Sequence, residues 1–310
     1  MNDKTMLIGG DLSVRRIGYG GMALTGPGGF GKPGDPHAAR NVLRRAVELG
    51  VQLFDTADSY GPDVSEELIA EALHPYPEDL VIATKGGSIR DAPWQMHSDG
   101  HPDYLRSACE GSLRRLRLER IDLYQLHTVD PSVPIEESVG ALADLRTAGK
   151  IRHIGLSNVS IEDIEKARRV APIVSVQNEL SLATAGAQDD VVDYCEREGL
   201  AYLPWRPLAK GSLARGRSAL GAVAKRHGAR PASVALAWLL AQAPVIVPIP
   251  GTLSATHLQE NVDALALELT AEDRAQLESF RLSPIDAREL ARRFVPPRLR
   301  RVAVSVLRRG

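Results

Sequence analysis

Residues 51–60 read VQLFDTADSY, a short apolar run that ends at Asp55 and is soon followed by Tyr60. Six further apolar runs also stop at polar, aromatic or glycine residues: DLVIATK (79–85), IDLYQLH (121–127), IRHIGLSN (151–158), PIVSVQN (172–178), AYLPW (201–205) and APVIVPIPGT (243–252). The parallel strands of a barrel enzyme place their C-terminal ends at one mouth, where its active site is built. The seven runs therefore favour an α/β fold with a site at its strand ends.

Strand-like and helix-like stretches alternate along the whole chain. The apolar runs lie near 17–23, 51–55, 80–84, 121–126, 151–156, 173–177, 200–204 and 245–249. Amphipathic stretches lie near 36–49, 64–73, 102–117, 135–148, 161–169, 188–198, 231–242 and 255–264. Such alternation indicates parallel strands joined by crossover helices. Eight units in 310 residues predict a (β/α)₈ barrel, the TIM barrel.

The segments outside the predicted barrel strands and helices indicate how the two ends of the barrel are covered. The first residues, 1–16, resemble a β-hairpin that could plug the N-terminal mouth. The stretches 24–35, 86–101 and 206–217 are long for loops at the active face, where they would shape substrate access. No Ser/Gly-rich linker divides the chain, so residues 1–310 are predicted to form one domain that ends in a basic segment over 281–310.

Composition and charge narrow the class of protein. The chain is 44% hydrophobic and 25% charged, which suits a globular protein. Neither a signal-peptide core nor an apolar run of about 18 residues occurs, so we expect a cytoplasmic protein without a membrane partner. Residues 291–310 hold seven arginines, and the remaining 31 basic against 39 acidic residues leave an acidic body that argues against nucleic acid binding. We expect a monomer or a weak homo-oligomer.

The two cysteines and the histidine-containing loop do not predict a metal site. Cys109 and Cys195 lack metal-ligand spacing and are expected to be reduced thiols on helices. His97 and His101 belong to a stretch that Gly100 interrupts, so a solvated loop is favoured.

Four polar residues can polarise a carbonyl group together. Tyr60 is the candidate proton donor, although a phenol has a pKa of about 10. An ammonium at Lys85 would lower that pKa by favouring the phenolate, and Asp55 would supply the anion that a buried lysine needs. His127 can donate a hydrogen bond to a carbonyl oxygen, so the set suits reduction by a hydride from elsewhere.

The later strand ends carry plausible holders for a dinucleotide. Ser157, Asn158 and Gln177 can hydrogen-bond a carboxamide, and Trp205 can stack on a nicotinamide ring. The Gly251–Thr252 turn precedes a helix start, which is a natural site for phosphate. These holders suggest that a nicotinamide dinucleotide supplies the hydride.

Five motifs together resemble the aldo-keto reductases: F-D-T-A-x-x-Y-G (54–61), T-K (84–85), D-L-Y-x-x-H (122–127), G-x-S-N (155–158) and P-I-P-G-T…L-x-E-N (248–261). The resemblance spans residues 17–262. It implies NADPH-dependent reduction of an aldehyde or ketone, a small-molecule carbonyl substrate, and a catalytic set of Asp55, Tyr60, Lys85 and His127. It implies cofactor contacts from Gly21, Met22, Asp55, Ser157, Asn158, Gln177, Trp205, Arg206, Leu208, Lys210, Gly211, Gly251, Thr252, His257, Glu260 and Asn261.

Two parts of the cofactor site depart from the family pattern. Its best-studied members carry Lys-Ser and a following Arg at the site of the cofactor 2′-phosphate, where this chain has Gly251-Thr252 and His257. A neutral histidine is a weaker phosphate partner than arginine, so NADPH is the expected cofactor and NADH the alternative. Arg206 stands where a small residue is common, and it could contact the cofactor or stack elsewhere.

The mouth loops suggest, but do not define, a substrate. GPGGFGK at 26–32 approaches a phosphate-loop pattern, but Pro33 replaces the Ser or Thr that would hold Mg²⁺, so a glycine-rich substrate loop is favoured. Phe30 and Trp94 are candidate pocket residues, although Trp94 could instead cover a helix. The stretch ALHPYPEDLVIATKGG resembles a bacterial subgroup with pyridoxal reductases, which implies a pyridoxal-like or other small polar carbonyl.

Two other functions use the same residues. The protein could be a nicotinamide-binding sensor or regulatory subunit that kept the catalytic set. It could also act as a dehydrogenase in the alcohol-oxidising direction. The arginine-rich tail could pack on the barrel, pair with another subunit, attract an anionic substrate or remain loose.

Overall fold

The computed structural model describes residues 4–213 and 219–278. Its strands are β1 (Thr5–Ile8), β2 (Leu12–Arg15), β3 (Tyr19–Gly20), β4 (Leu53–Asp55), β5 (Val81–Gly86), β6 (Ser88–Ala92), β7 (Gln95–Ser98), β8 (Ile121–Leu126), β9 (Ile151–Ser157), β10 (Ile173–Gln177) and β11 (Ala201–Tyr202). Its α-helices are α1 (Pro36–Glu48), α2 (Val64–Leu73), α3 (Pro102–Leu116), α4 (Ile135–Thr147), α5 (Ile161–Arg168), α6 (Asp189–Glu198), α7 (Ala219–Arg226), α8 (Pro231–Gln242), α9 (Ala255–Asp263) and α10 (Ala271–Glu278).

Seven parallel strands form one sheet in the order β11-β10-β9-β8-β5-β4-β3. The predicted strand at 245–249 occupies the eighth strand position of the barrel. It is held there by a few separate backbone hydrogen bonds. On one side, Tyr202 forms a parallel bridge with Ile246, and Val247 N donates to Tyr202 O at 2.8 Å. The sheet therefore continues past β11.

On its other side the same segment meets β3 and closes the ring. Gly18 N donates to Pro248 O at 2.8 Å, and Gly20 N donates to Pro250 O at 3.3 Å. Because proline has no N–H, residues 248 and 250 cannot complete a regular ladder, which explains why this segment is not a full strand. The predicted (β/α)₈ barrel is confirmed.

The predicted N-terminal hairpin is also confirmed. β1 and β2 pair antiparallel, with Ile8 opposite Leu12. Ile8, Leu12 and Val14 are buried in one cluster with side chains from inside the barrel, among them Leu53 and Leu123. The hairpin therefore plugs the N-terminal end, and the C-terminal mouth is left for a site.

The eight predicted helices occur within one or two residues of their expected bounds. Gly50, Gly149 and Gly199 follow helix ends with φ of 78°, 76° and 68°, which is the left-handed geometry expected there. Most of the core lies between the helices and the outer face of the sheet. Two helices, α7 and α10, were not predicted, because they are additional helices that do not belong to the alternation of strands and helices.

One predicted loop has more structure than expected. Residues 86–101 contain the antiparallel hairpin β6–β7 at the active face. Its residues are largely polar and lack an alternating apolar face, so the sequence carried no strand signal there. The basic segment over 281–310 lies outside the described residues, and the single domain over 1–310 stays a prediction.

Candidate active site

The barrel brings the predicted catalytic residues together at its C-terminal mouth. Asp55 is the last residue of β4, Lys85 is near the end of β5, and His127 follows β8. Tyr60 lies in the turn between β4 and α2. All four side chains are buried.

Lys85 is the centre of this group. Its side chain is 0% exposed, and its Nζ lies 2.7 Å from Asp55 Oδ2. The same Nζ donates to Thr56 O at 2.8 Å and to the Tyr60 hydroxyl at 3.4 Å. Burial opposes the charged form, but attraction to Asp55 and Tyr60 outweighs it and raises the pKa of Lys85. The ammonium is therefore held charged beside the phenol.

The Tyr60 hydroxyl is held in its protonated form. Burial raises the pKa of Tyr60, and Lys85 lowers it by a smaller amount. The expected lowering by Lys85 is thus present but weaker than the effect of burial. A neutral phenol beside a fixed ammonium is equipped to give up its proton when a base arrives.

His127 is neutral and oriented towards this group. Burial, and then the positive charges of Lys85 and Arg90, hold the pKa of His127 well below its usual range. Its ring meets the Tyr60 ring edge to face, with centroids 5.8 Å apart. Its Nδ1 lies 3.4 Å from the Ser59 hydroxyl. A neutral imidazole here can act as a hydrogen-bond donor without adding charge.

The predicted carboxamide-binding residues form the neighbouring part of the mouth. Asn158 Nδ2 donates to His127 O at 2.9 Å and to Ser157 Oγ at 3.0 Å. Ser157 Oγ donates to Gln177 O at 2.9 Å. Gln177 Nε2 donates to Asp55 Oδ1 at 2.8 Å, so this part is hydrogen-bonded to the predicted catalytic group.

Trp205 and Arg206 lie together after β11. The Arg206 guanidinium carbon is 4.6 Å from the centroid of the Trp205 ring, and its Nη1 is 3.6 Å from Glu179 Oε1. Of the two expectations for Arg206, stacking is therefore observed, and its partner is Trp205. Trp205 itself is half-buried, which leaves part of its ring accessible.

The expected phosphate segment lies against the end of β3. A Cβ at Gly251 would collide with the carbonyl oxygen of Gly20, so only glycine fits there. The Tyr19 hydroxyl donates to Thr252 O at 2.7 Å. Gly251 also packs against Ala23, in the turn after β3 that begins with Gly21 and Met22. Predicted cofactor residues from both ends of the chain meet here.

The other predicted cofactor residues lie in α9 and in the loop after β11. His257 is exposed in the first turn of α9, and its backbone N–H donates to Ser254 Oγ. Asn261 is buried in the same helix, whereas the Glu260 carboxylate lies 3.1 Å from Arg230 Nε. Leu208 directly precedes the short helical turn Ala209–Gly211, which contains Lys210 and ends at Gly211.

The two long mouth loops contact each other. Phe30 pairs with Gly61 one residue beyond Tyr60. Trp94, whose φ is +66°, lies on Gly28, where an added Cβ would be 2.9 Å from its indole ring. The structure therefore places Trp94 against the glycine-rich loop, with 59% of the residue exposed.

Three residues of the site were missed by sequence reasoning. Gln125 Nε2 donates to Asp55 Oδ1 at 3.1 Å, and a polar residue inside the apolar run IDLYQL was a usable signal for it. Arg90 Nε donates to Ser59 O at 3.0 Å beside Tyr60. Ser59 and Arg90 carry no sequence signal, because their roles arise only when the loops meet.

The described part of the chain contains neither a candidate metal site nor a candidate membrane-spanning helix. Over residues 4–213 and 219–278, His, Cys, Asp and Glu side chains form no group of three that could hold a metal ion. Over the same ranges, no helix has the length and apolar character needed to cross a membrane.

Comparison with known proteins agrees with this geometry. The Aldo/keto reductase family model matches residues 16–281. An uncharacterized oxidoreductase of Schizosaccharomyces pombe is 45% identical over 269 residues, 87% of each chain. Pyridoxine 4-dehydrogenase of Escherichia coli is 43% identical over 288 residues, 90% of this chain and 99% of that protein.

A solved structure agrees as well. The aldo/keto reductase of Klebsiella pneumoniae, crystallised with NADP and acetate, is 28% identical and has a TM-score of 0.77 over 89% of this chain and 94% of that one. The match of fold, the family model over most of the chain and the two relatives agree. The chain is therefore an oxidoreductase that belongs to the aldo/keto reductase family.

Proposed function

We propose that this protein reduces an aldehyde or ketone to an alcohol, with NADPH as its cofactor. The proposal rests above all on one observation: the fully buried Lys85 ammonium lies 2.7 Å from Asp55 and 3.4 Å from the Tyr60 hydroxyl. A buried cation fixed between a carboxylate and a phenol suits a proton donor whose anion must be stabilised.

Each of the four side chains of the proposed catalytic set has its own role in the reduction of the carbonyl group. The Tyr60 hydroxyl gives its proton to the carbonyl oxygen as the carbon is reduced, and the Lys85 ammonium stabilises the phenolate that remains. Asp55 holds Lys85 charged and in place. The neutral His127 ring donates a hydrogen bond to the same oxygen and fixes the approach of the substrate. Such proton transfer typically contributes about 10² to 10⁴ in rate.

The residues present fit a nicotinamide dinucleotide. Ser157, Asn158 and Gln177 bring hydroxyl and amide groups to one edge of the mouth, and Trp205 offers an accessible aromatic surface. At Gly251 the last barrel segment packs closely on Gly20, next to Gly21. When bound, NADPH supplies the hydride. NADH is the alternative, because the exposed His257 stands where an arginine would grip the 2′-phosphate.

The substrate is proposed as pyridoxal-like or another small polar carbonyl. Support comes from the 43% identity to a protein named pyridoxine 4-dehydrogenase. Phe30 and Trp94 are proposed to border the substrate pocket, since both belong to the loops that meet beside Tyr60. A cytoplasmic location and a monomer or weak homo-oligomer remain our expectations.

A panel assay with a tyrosine pair tests this function. NADPH oxidation would be followed with pyridoxal and a series of aldehydes and ketones. Tyr60→Phe should lower kcat about 100-fold or more while NADPH still binds. Tyr202→Phe is the matched control: it also removes a buried hydroxyl, one without a hydrogen-bond partner among the described residues, and should leave kcat unchanged.

The same assay separates the other functions. A sensor or regulatory subunit would bind NADPH but turn over no carbonyl in the panel. A dehydrogenase would show faster oxidation of the matching alcohols with NADP⁺ than reduction of the carbonyls. Undiminished carbonyl reduction in Tyr60→Phe would overturn the proposed role of Tyr60.

A further inference from the structure

The His127 ring has a polar neighbour, Ser59, outside the proposed catalytic set. The backbone of His127 is fixed on both sides, because its N–H donates to Gly86 O at 2.8 Å and its carbonyl accepts from Asn158 Nδ2 at 2.9 Å. The ring can still carry its proton on either nitrogen. Its Nδ1 faces the buried Ser59 hydroxyl at 3.4 Å, which is that hydroxyl's partner within the described residues.

A neutral histidine has one N–H, and its position decides what the ring can do. Lys85 and Arg90 are the cations that act on His127, and together with burial they oppose a second proton by lowering its pKa. If Nδ1 carried the proton, Nε2 could only accept, and a carbonyl oxygen would find no donor. If Nδ1 accepts from Ser59, Nε2 becomes the donor.

Ser59 is itself held by Arg90. Arg90 Nε donates to Ser59 O at 3.0 Å, its Nη1 to Gly28 O at 2.8 Å, and its Nη2 to Met96 Sδ at 2.7 Å. Arg90 is 6% exposed and forms no ion pair with a carboxylate of the described residues. All three of these hydrogen bonds therefore tie chain segments together, and one of them fixes the backbone of Ser59.

We infer that Ser59, held in place by Arg90, is a positioning residue that donates to His127 Nδ1 and thereby keeps the N–H on Nε2, towards the substrate carbonyl. The catalytic role of this arrangement rests on the proposed carbonyl reduction. The position of the proton on the ring does not depend on that proposal. The 3.4 Å separation is long for such a bond, and catalytic hydrogen bonds commonly shorten when substrate binds.

Nitrogen NMR of the histidine rings tests the proton position without any turnover. The protein would be labelled with ¹⁵N-histidine at neutral pH, and His127 assigned from the signal lost in His127→Gln. We expect an unprotonated Nδ1 and a protonated Nε2 in the wild type. A protonated Nδ1 in the wild-type spectrum would overturn the inference without reference to any variant.

Paired serine variants test the consequence for catalysis. Ser59→Ala should lower kcat/KM about ten-fold, the usual size of one lost hydrogen bond, and should shift the His127 ring signals. Ser59→Thr keeps the hydroxyl and should restore both. Ser138→Ala is the control, since it removes a buried hydroxyl whose hydrogen bond runs to Gly100 O at 2.7 Å and not to His127.

Arg90 is tested in the same way. Arg90→Met should reproduce the signal shift of Ser59→Ala, because the Ser59 backbone loses its donor, while Arg90→Lys should restore part of it. Ring signals in Ser59→Ala that match those of Ser138→Ala would refute the role of Ser59. Absence of turnover in the wild type would instead refute the proposed function and leave the NMR result standing.

Discussion

Gln177 donates a hydrogen bond from its amide nitrogen to Asp55 Oδ1 at 2.8 Å. Asp55 belongs to the proposed proton-transfer group, and Gln177 to the proposed cofactor site. Both side chains are only 2% exposed, so the bond is shielded from water. Because Lys85 contacts the other oxygen of Asp55, this carboxylate links the proposed cofactor site to the proposed proton-transfer group.

Gln177→Leu should therefore affect two steps at once. We expect weaker NADPH binding, by about ten-fold, because a carboxamide partner is lost. We also expect a lower kcat with saturating NADPH, because Asp55 loses one of its donors. Fluorescence titration and steady-state kinetics measure the two effects. An unchanged kcat would show that the bond to Asp55 is dispensable.

The buried pair of Lys85 and Asp55 should also govern stability. Lys85→Met leaves the Asp55 carboxylate buried without its cation, which typically costs about 3–5 kcal/mol. Lys85→Met combined with Asp55→Asn removes both charges and should be more stable than Lys85→Met alone. Urea denaturation of the three proteins gives the free energies of unfolding. A double variant no more stable than Lys85→Met would contradict this account.

Asp58 should make the protein less stable as pH rises. Burial, and then repulsion from Glu66, raises the pKa of Asp58 to about 8, and its Oδ1 has no hydrogen-bond partner among the described residues. The unfolded chain has a pKa of about 3.9 at this position. Between these values the folded protein holds a proton that the unfolded chain has lost. Asp58 therefore contributes its full stabilisation below about pH 4. The free energy of unfolding then falls as the pH rises from about 4 to about 8.

Asp58→Asn should remove that dependence, because its side chain does not ionise. The slope of unfolding free energy against pH should become less negative by up to about 1.4 kcal/mol per pH unit between about pH 4 and 8. Asp103→Asn, which removes a fully exposed carboxylate, is the control. Equal slopes in wild type and Asp58→Asn would show that Asp58 is ionised in the folded protein.

The choice of cofactor should respond to residue 257. His257→Arg places a permanent positive charge at the exposed start of α9, where the 2′-phosphate of NADPH is proposed to bind. We expect the ratio of kcat/KM with NADPH to that with NADH to rise about ten-fold. Thr256→Arg adds the same charge one residue away. An equal rise of this ratio in both variants would indicate general electrostatic attraction of NADPH and not a specific contact at residue 257.

The sequence predicted the framework of the site better than its interior contacts. Strand ends could be located because apolar runs stop at residues such as Asp55 and His127, and parallel strands must then bring those residues to one mouth. Helix ends could be located from Gly50, Gly149 and Gly199, since the left-handed geometry is local.

The contacts that depend on tertiary structure could not be predicted. Arg90 donates to two backbone carbonyl groups, which every residue has, so no pattern marks these partners. The net rise in the pKa of Tyr60 depends on the depth of burial, which neighbouring residues in the sequence do not reveal. The hairpin β6–β7 has no alternating apolar face, so its sequence resembles a loop.

The closing junction of the barrel has a consequence for its dynamics. β3 meets the last segment through two hydrogen bonds that both run to proline carbonyls, from Gly18 and Gly20. Hydrogen exchange at these two amides would therefore report on separation of the first strand from the last. A dinucleotide that contacts Gly21 on one side and Gly251 on the other would span this junction, so these two protons should exchange more slowly once NADPH is added.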